Sequence, residues 1–401
     1  MHMRLASASC ALLLVAAHCS TKAPADDAGS GGRGSGGSSA AGTGGTGSGT
    51  GGLLNPAPAS RSFAGTNFWN VEWERSNILL PDVDFATTTN PWVPELLTGL
   101  EPYSVLRLMD WNGTNADETP QAHFDTRKKK TEPQGELIAY EWQIDLCNRT
   151  HKDYWLNLHH RSTVDDWKQV ARLVKTSLDP NLRVYLEWSN EVWNESFPQN
   201  AYATSQAQSL GLSGTIPASS YYVYQAVRLF EAFDEVFASE PDRLVHVLAG
   251  FAGWNGPCEA HVLALQDATI NPRSTRPDVY AVAPYVHGAT MAELNAGIAQ
   301  VATDLATNVS CANKLSLPVI GYEGGPDSYS VGVDGCVTLQ HDPGMHDFYL
   351  AYLDALTKAG LRGPYMQYTH SGACWGLKEK VTDAASTSPK YVGLLDWLKS
   401  L

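Results

Sequence analysis

The sequence predicts an α/β chain folded as a (β/α)8 TIM barrel, and three observations carry that prediction. Eight short runs rich in apolar, β-branched and aromatic residues fall near 62–67, 103–109, 153–158, 182–188, 244–250, 278–284, 317–322 and 363–368. Each is too short for a typical helix and reads as a buried strand. Helix-like stretches at 135–148, 163–177, 219–238, 291–307 and 345–358 separate most of them, and 391–401 follows the last. Strand and helix in alternation imply a parallel sheet with right-handed crossovers, and eight strands are the number that closes a barrel. A chain of 401 residues, 43% hydrophobic and 17% charged, can supply one large core of this kind.

In chain order, residues 1–19 hold one early basic residue, Arg4, an apolar run at 11–17 and then Cys19. This reads as a secretory signal, too short to span a bilayer. The stretch LVAAHC at 14–19 resembles a bacterial lipoprotein processing site with Cys19 as the lipidated residue, although His18 departs from the small residue expected there. Plain secretion is the alternative. Residues 20–60 run through GSGGRGSGGSSAAGTGGTGSGTGG, a disordered Gly/Ser-rich tether unable to bury enough apolar surface to fold. Gly47 to Gly52 matches a dinucleotide-binding pattern by composition, but neither a strand before it nor a helix after it supports that use. The catalytic domain is expected over 61–401.

The strand expected at 182–188 continues into Ser189, Asn190 and Glu191, and the one at 317–322 ends in Glu323, Gly324 and Gly325. Two glutamates are thus placed at the carboxyl ends of two parallel strands, the barrel face where chemistry sits. The glycine pair lets the backbone turn away sharply after the second. Two carboxyls facing one cleft suit glycoside hydrolysis, in which one protonates the leaving oxygen and the other attacks the anomeric carbon. Trp188 and Trp193 offer flat faces for a sugar ring, and Asn190 an amide for a sugar hydroxyl.

Asn190-Glu191 followed by Glu323 resembles the clan of retaining glycoside hydrolases on (β/α)8 barrels, with acid/base on strand four and nucleophile on strand seven. The run EWSNEVWNESFPQ is similar more narrowly to uncharacterised bacterial members found beside cellulose-binding modules. The resemblance implies Glu191 as acid/base and Glu323 as nucleophile. It also implies Arg107 on strand two as the cation that keeps the nucleophile ionised, with an ion pair to Glu187 as the competing use. His159 after strand three is implied as a sugar contact, and Tyr285, then His287, after strand six as the group orienting the nucleophile. Trp375 after strand eight is implied as the floor of the sugar subsite. Trp69 with Asn70, and Trp111 with Asn112, are candidates for more distant subsites.

The remaining features bound the reading. A net charge of −14 argues against nucleic acid or a polyanionic substrate and suits a neutral glycan. Asp110, Asp145, Glu187 and Glu195 are rival carboxylates without the strand-end setting of the chosen pair. The basic run at 127–130 reads as a solvated face. Of the cysteines in the folded part, Cys336 and Cys374 make the best disulfide pair, leaving Cys147, Cys258 and Cys311 as an odd set. No metal-ligand motif appears, so no cofactor or metal is expected. The expected protein is an exported monomer, lipoprotein or secreted, meeting a membrane only through the lipid. The competing function is a non-catalytic surface glycan-binding barrel; an esterase or peptidase lacks a nucleophile elbow in the folded region.

Overall fold

Eight parallel strands close on themselves in the computed structural model, which describes residues 62–68 and 77–401. They are β1 (Ala64–Asn67), β2 (Val105–Arg107), β3 (Asp153–Leu158), β4 (Val184–Trp188), β5 (Leu244–Ala249), β6 (Val279–Val282), β7 (Val319–Gly321) and β8 (Leu361–Gln367). Each pairs in parallel with its neighbours in sequence, and β8 pairs with β1 to complete the ring. All eight coincide with expected runs. The chain is a (β/α)8 barrel, within the unit Arg61–Leu401. Signal, tether, Cys19, Trp69 and Asn70 lie outside the described residues.

Alternation along the strands sorts their side chains. Val105, Trp155, Tyr185, Val247, Ala281, Ile320, Tyr322 and Met366 fill the barrel interior, whereas Leu106, Leu156, Leu186, Leu248 and Tyr365 point outward into the core beneath the helices. Those helices are α1 (Pro94–Gly99), α2 (Tyr140–Thr150), α3 (Val164–Ser177), α4 (Pro198–Leu210), α5 (Pro217–Val236), α6 (Gly256–Gln266), α7 (Met291–Ala312), α8 (Gly332–Gln340), α9 (Gly344–Lys358) and α10 (Pro389–Lys399). The local chemistry is clearest in α3. Thr163 accepts from the Asp166 N–H while Asp166 accepts from the Thr163 N–H, a capping box, and Trp167, Val170, Ala171 and Val174 then bury one face.

Helices α1, α4, α6 and α8 were not foreseen. Trp188 is buried against Tyr221 and Tyr222 of α5, so it offers no face to a sugar. Trp111 is buried and stacked on Trp92, and the Asn112 amide bridges the Asn157 carbonyl and the amides of Gln121 and Gln143. Both are packing residues. In the basic run at 127–130 only Arg127 departs from a solvated face: it is buried and pairs with Glu141 at 2.8 Å over the Phe124 ring, whereas Lys130 is exposed with its ammonium over Trp142.

Cys336 and Cys374 are disulfide-bonded, and so are Cys258 of α6 and Cys311 of α7, which leaves Cys147 as a buried free thiol among the described residues. The second bridge closes a loop of 53 residues. Loop-closure entropy puts its contribution at about 4 kcal/mol. Cys258→Ser is therefore expected to lower the urea midpoint markedly, with a larger m-value because the unfolded chain is no longer cross-linked; an unchanged midpoint would show the bridge to be idle.

Candidate active site

Parallel strands leave all their carboxyl ends on one rim, and that rim gathers Arg107 from β2, Asn190 and Glu191 after β4, Tyr285 after β6 and Glu323 after β7. The backbone there is unusual. Ser189 and Glu191 both hold left-handed φ values, +60° and +41°, a conformation uncommon for non-glycine residues and here adopted at two positions of one short turn. Gly324 and Gly325 have φ of +150° and +143°, and a Cβ on Gly324 would lie 2.3 Å from the Tyr365 hydroxyl. The glycine pair is what lets the chain turn after Glu323.

Glu323 is buried, with each oxygen held. Oε1 accepts from Arg107 Nη1 at 2.7 Å, and Oε2 accepts from the Tyr285 hydroxyl at 2.9 Å. Glu191, partly exposed to the cleft, accepts from the Tyr322 hydroxyl at 2.9 Å and from Asn194 Nδ2 at 3.0 Å. The two carboxyls therefore have different partners, a cation on one and neutral donors on the other. Burial raises both pKa values and is the largest influence on each. Glu191 is pushed up to about 7, with the Glu323 charge adding to burial. The Arg107 charge is the strongest force opposing burial at Glu323, so the first proton to leave the pair comes from Glu323.

Arg107 is the hub. Its five N–H groups are all engaged: Nε and Nη2 grip Glu187, Nη2 also donates to Asn190 Oδ1 at 2.7 Å, and Nη1 donates to Asn67 Oδ1 at 3.1 Å besides Glu323. Arg107 thus contacts both carboxylates, Glu323 and Glu187. Asn190 is fixed at its other end by Asn115, whose Oδ1 accepts from Asn190 Nδ2 at 3.0 Å and from Gln199 Nε2 at 2.8 Å.

The other candidates divide. Trp193 donates its indole N–H to Tyr322 Oη at 3.3 Å and stacks on Phe251 at 4.3 Å, which puts an aromatic pair beside Glu191. His159 is only 1% exposed; its Nε2 bonds the Ala116 carbonyl and its Nδ1 accepts from the Arg161 N–H. With both nitrogens occupied by backbone, it has nothing left for a sugar. His287 is 61% exposed on its side chain and pairs with Asp327 rather than Glu323, so Tyr285 is the residue that touches the nucleophile candidate. Trp375 is 3% exposed, covered by Tyr329 with ring centres 5.0 Å apart and edge-on to Tyr368. It buttresses the wall of the site rather than forming an open floor.

Three residues escaped sequence reasoning. Tyr322 reads as strand core but its hydroxyl binds Glu191, and Asn194 lies three residues past Glu191 with only that i, i+3 spacing as a signal. Asp110, three residues beyond Arg107, lacks in the sequence the strand-end setting that marks Glu191 and Glu323. Its Oδ2 is buried without a hydrogen-bond partner, and burial pushes its carboxyl up to about 7, with the Glu323 charge adding and Arg107 opposing. Asp110 is thus a further carboxyl close enough to Glu323 and Arg107 to feel their charges. Among the described residues no cluster of three or more His, Cys, Asp or Glu is arranged to hold a metal ion.

No protein-family model matches the chain, and no curated protein matches it. Its structure is similar to an exo-β-1,4-mannosidase from Opitutaceae bacterium strain TAV5 (13% identity over 84% of this chain and 59% of that one, TM-score 0.45). It is also similar to a hyperthermostable endo-1,4-β-D-mannanase from Thermotoga petrophila RKU-1 (10% identity, 85% and 100% covered, TM-score 0.44). A β-glucosidase from Thermotoga maritima gives 12% identity, 84% and 97% covered, and a TM-score of 0.46. The chain thus spans under two thirds of the mannosidase's length. At such identities the chemistry of this rim rests on its own side chains.

Proposed function

We propose that the protein is a retaining glycoside hydrolase that cleaves β-glycosidic bonds in a neutral polysaccharide or oligosaccharide. The observation that carries the reading is the unequal pair: Glu323 held by a guanidinium and a tyrosine hydroxyl, Glu191 held by neutral donors and kept protonated to about pH 7. Pairs of titratable groups driven apart by their surroundings mark acid and base assignments. Glu323 attacks the anomeric carbon and forms a covalent ester as Glu191 passes its proton to the departing oxygen. Glu191, now a base, takes a proton from water, which breaks the ester and releases the sugar with its configuration retained. Trp193 and Phe251 flank Glu191 and so suit the departing sugar, while Tyr285 and Asn190 suit the reacting one.

Release of new reducing ends from a panel of glucans, mannans and xylans, beside Glu323→Ala, tests this directly. Activity in the wild type and none in the variant supports the hydrolase, with product anomers followed by NMR to read retention. Binding without release by the wild type would favour the glycan-binding alternative. The reading also fixes a pH dependence. Glu191 must carry its proton in the free enzyme, and its raised pKa means the proton is held up to about 7. The value of kcat/KM should therefore fall as pH rises through about 7, and a plateau extending well beyond that would remove Glu191 from the acid role. The signal-like 1–19 and the Gly/Ser-rich 20–60 support an exported enzyme, with Cys19 as the candidate lipid anchor.

A further inference from the structure

We infer that Glu187 is a positioning residue of this site: it locks the Arg107 guanidinium in one plane and takes up part of its charge, so that the N–H left for Glu323 is aimed rather than merely nearby. The inference rests on reading Glu323 as the nucleophile. Glu187 is 1% exposed on the interior of β4, four residues before Glu191. Its carboxylate meets Arg107 side-on, from Nε at 3.1 Å and from Nη2 at 3.0 and 3.2 Å, the fork geometry that fixes orientation as well as contact. It is itself held by Trp155 Nε1 at 2.8 Å and Asn157 Nδ2 at 2.7 Å. Asn157 also donates to the Ser189 carbonyl at 2.8 Å, so the same clamp reaches the loop that carries Glu191.

A guanidinium gripped along its Nε edge has its remaining N–H directions decided. Nη1 then points at Glu323 and Asn67, and Nη2 at Asn190, without any further adjustment. The charge count completes the argument. One cation faces two carboxylates, Glu187 and Glu323, and the Glu187 charge raises the pKa of Glu323 while Arg107 lowers it. Asp110, Glu191, Tyr285 and Tyr322 also face the pair, and none is a second cation. Without Glu187, Glu323 would have the whole cation to itself. Its conjugate acid would be stronger and its attack weaker.

The test is titration of Glu323 by its carboxyl carbon resonance in glutamate-labelled protein, assigned by its loss in Glu323→Gln, for wild type, Glu187→Gln and Glu187→Asp. Removing a like charge should lower the pKa of Glu323 in Glu187→Gln by about one unit, and the acid limb of kcat/KM against pH should move down with it. Glu187→Asp keeps the charge but shortens the arm: the pKa of Glu323 should stay within about 0.3 unit while kcat falls roughly tenfold and KM changes little. A folded Glu187→Gln whose Glu323 titrates as in wild type would overturn the inference. Should Glu187→Gln not fold, Glu187→Asp decides: wild-type kcat there overturns it. A wild type that hydrolyses no glycan would instead remove the nucleophile reading, with the titration still deciding whether Glu187 shares the cation.

Discussion

Glu323→Ala should lose at least about four orders of magnitude in kcat, the scale on which a hydrolase responds to loss of its nucleophile. The loss alone would not separate roles, but azide does. In Glu323→Ala the shortened side chain opens the face from which the carboxylate attacked, so azide should attack there and yield a glycosyl azide of inverted configuration. In Glu191→Ala the covalent intermediate still forms from substrates with good leaving groups, and azide should intercept it to give the azide of retained configuration. That variant should lose about 10²- to 10⁴-fold on unactivated sugars and much less on aryl glycosides, because only a poor leaving group needs the proton. Opposite anomers from the two variants would assign both roles. The same anomer from both would refute the assignment.

Arg107→Leu should be the most destabilising single change at the site. It leaves Glu187 buried with its charge uncompensated and frees Glu323, Asn190 and Asn67 of a shared donor. Breaking a buried pair by removing one partner costs about 3–5 kcal/mol. The expected readouts are a drop in the urea midpoint at constant m-value and a loss of activity in the fraction that folds. Arg107→Lys should recover part of the stability and little of the activity, because an ammonium keeps the charge but cannot span Glu187, Asn190 and Glu323 from one plane. Full activity in Arg107→Lys would show that charge alone suffices.

The barrel was legible because a strand buried on both faces is a short apolar run bounded by turns, and all but β8 (LRGPYMQ), whose Arg362 and Gly363 are exposed, have that form. The helices were less so. α4 (PQNAYATSQAQSL) buries only Gln199 and the small Ala203 and Ala207, and α6 (GPCEAHVLALQ), clamped by Cys258, is apolar on most sides, so neither shows the strong stripe that announces a surface helix. At the site, Glu191 and Glu323 could be read because each breaks a strand pattern. Tyr322 could not, since a tyrosine within a barrel strand looks like core until its hydroxyl is placed. His159 and Trp375 failed for another reason. Chain position put them at strand ends, but Ala116, the Arg161 backbone and Tyr329 come from loops whose paths the sequence does not dictate.

The bridge between Cys336 and Cys374 joins the segments after β7 and β8, and its sulfurs share one apolar cluster with Tyr368 and Trp375, against which Tyr285 packs. The hydroxyl of Tyr285 is the one on Glu323. The wall behind the proposed nucleophile therefore includes an oxidised pair of cysteines. Protein made in a reducing compartment would carry the right strands and helices with an unfinished wall, and would gain turnover on oxidation without any change in its far-ultraviolet circular dichroism.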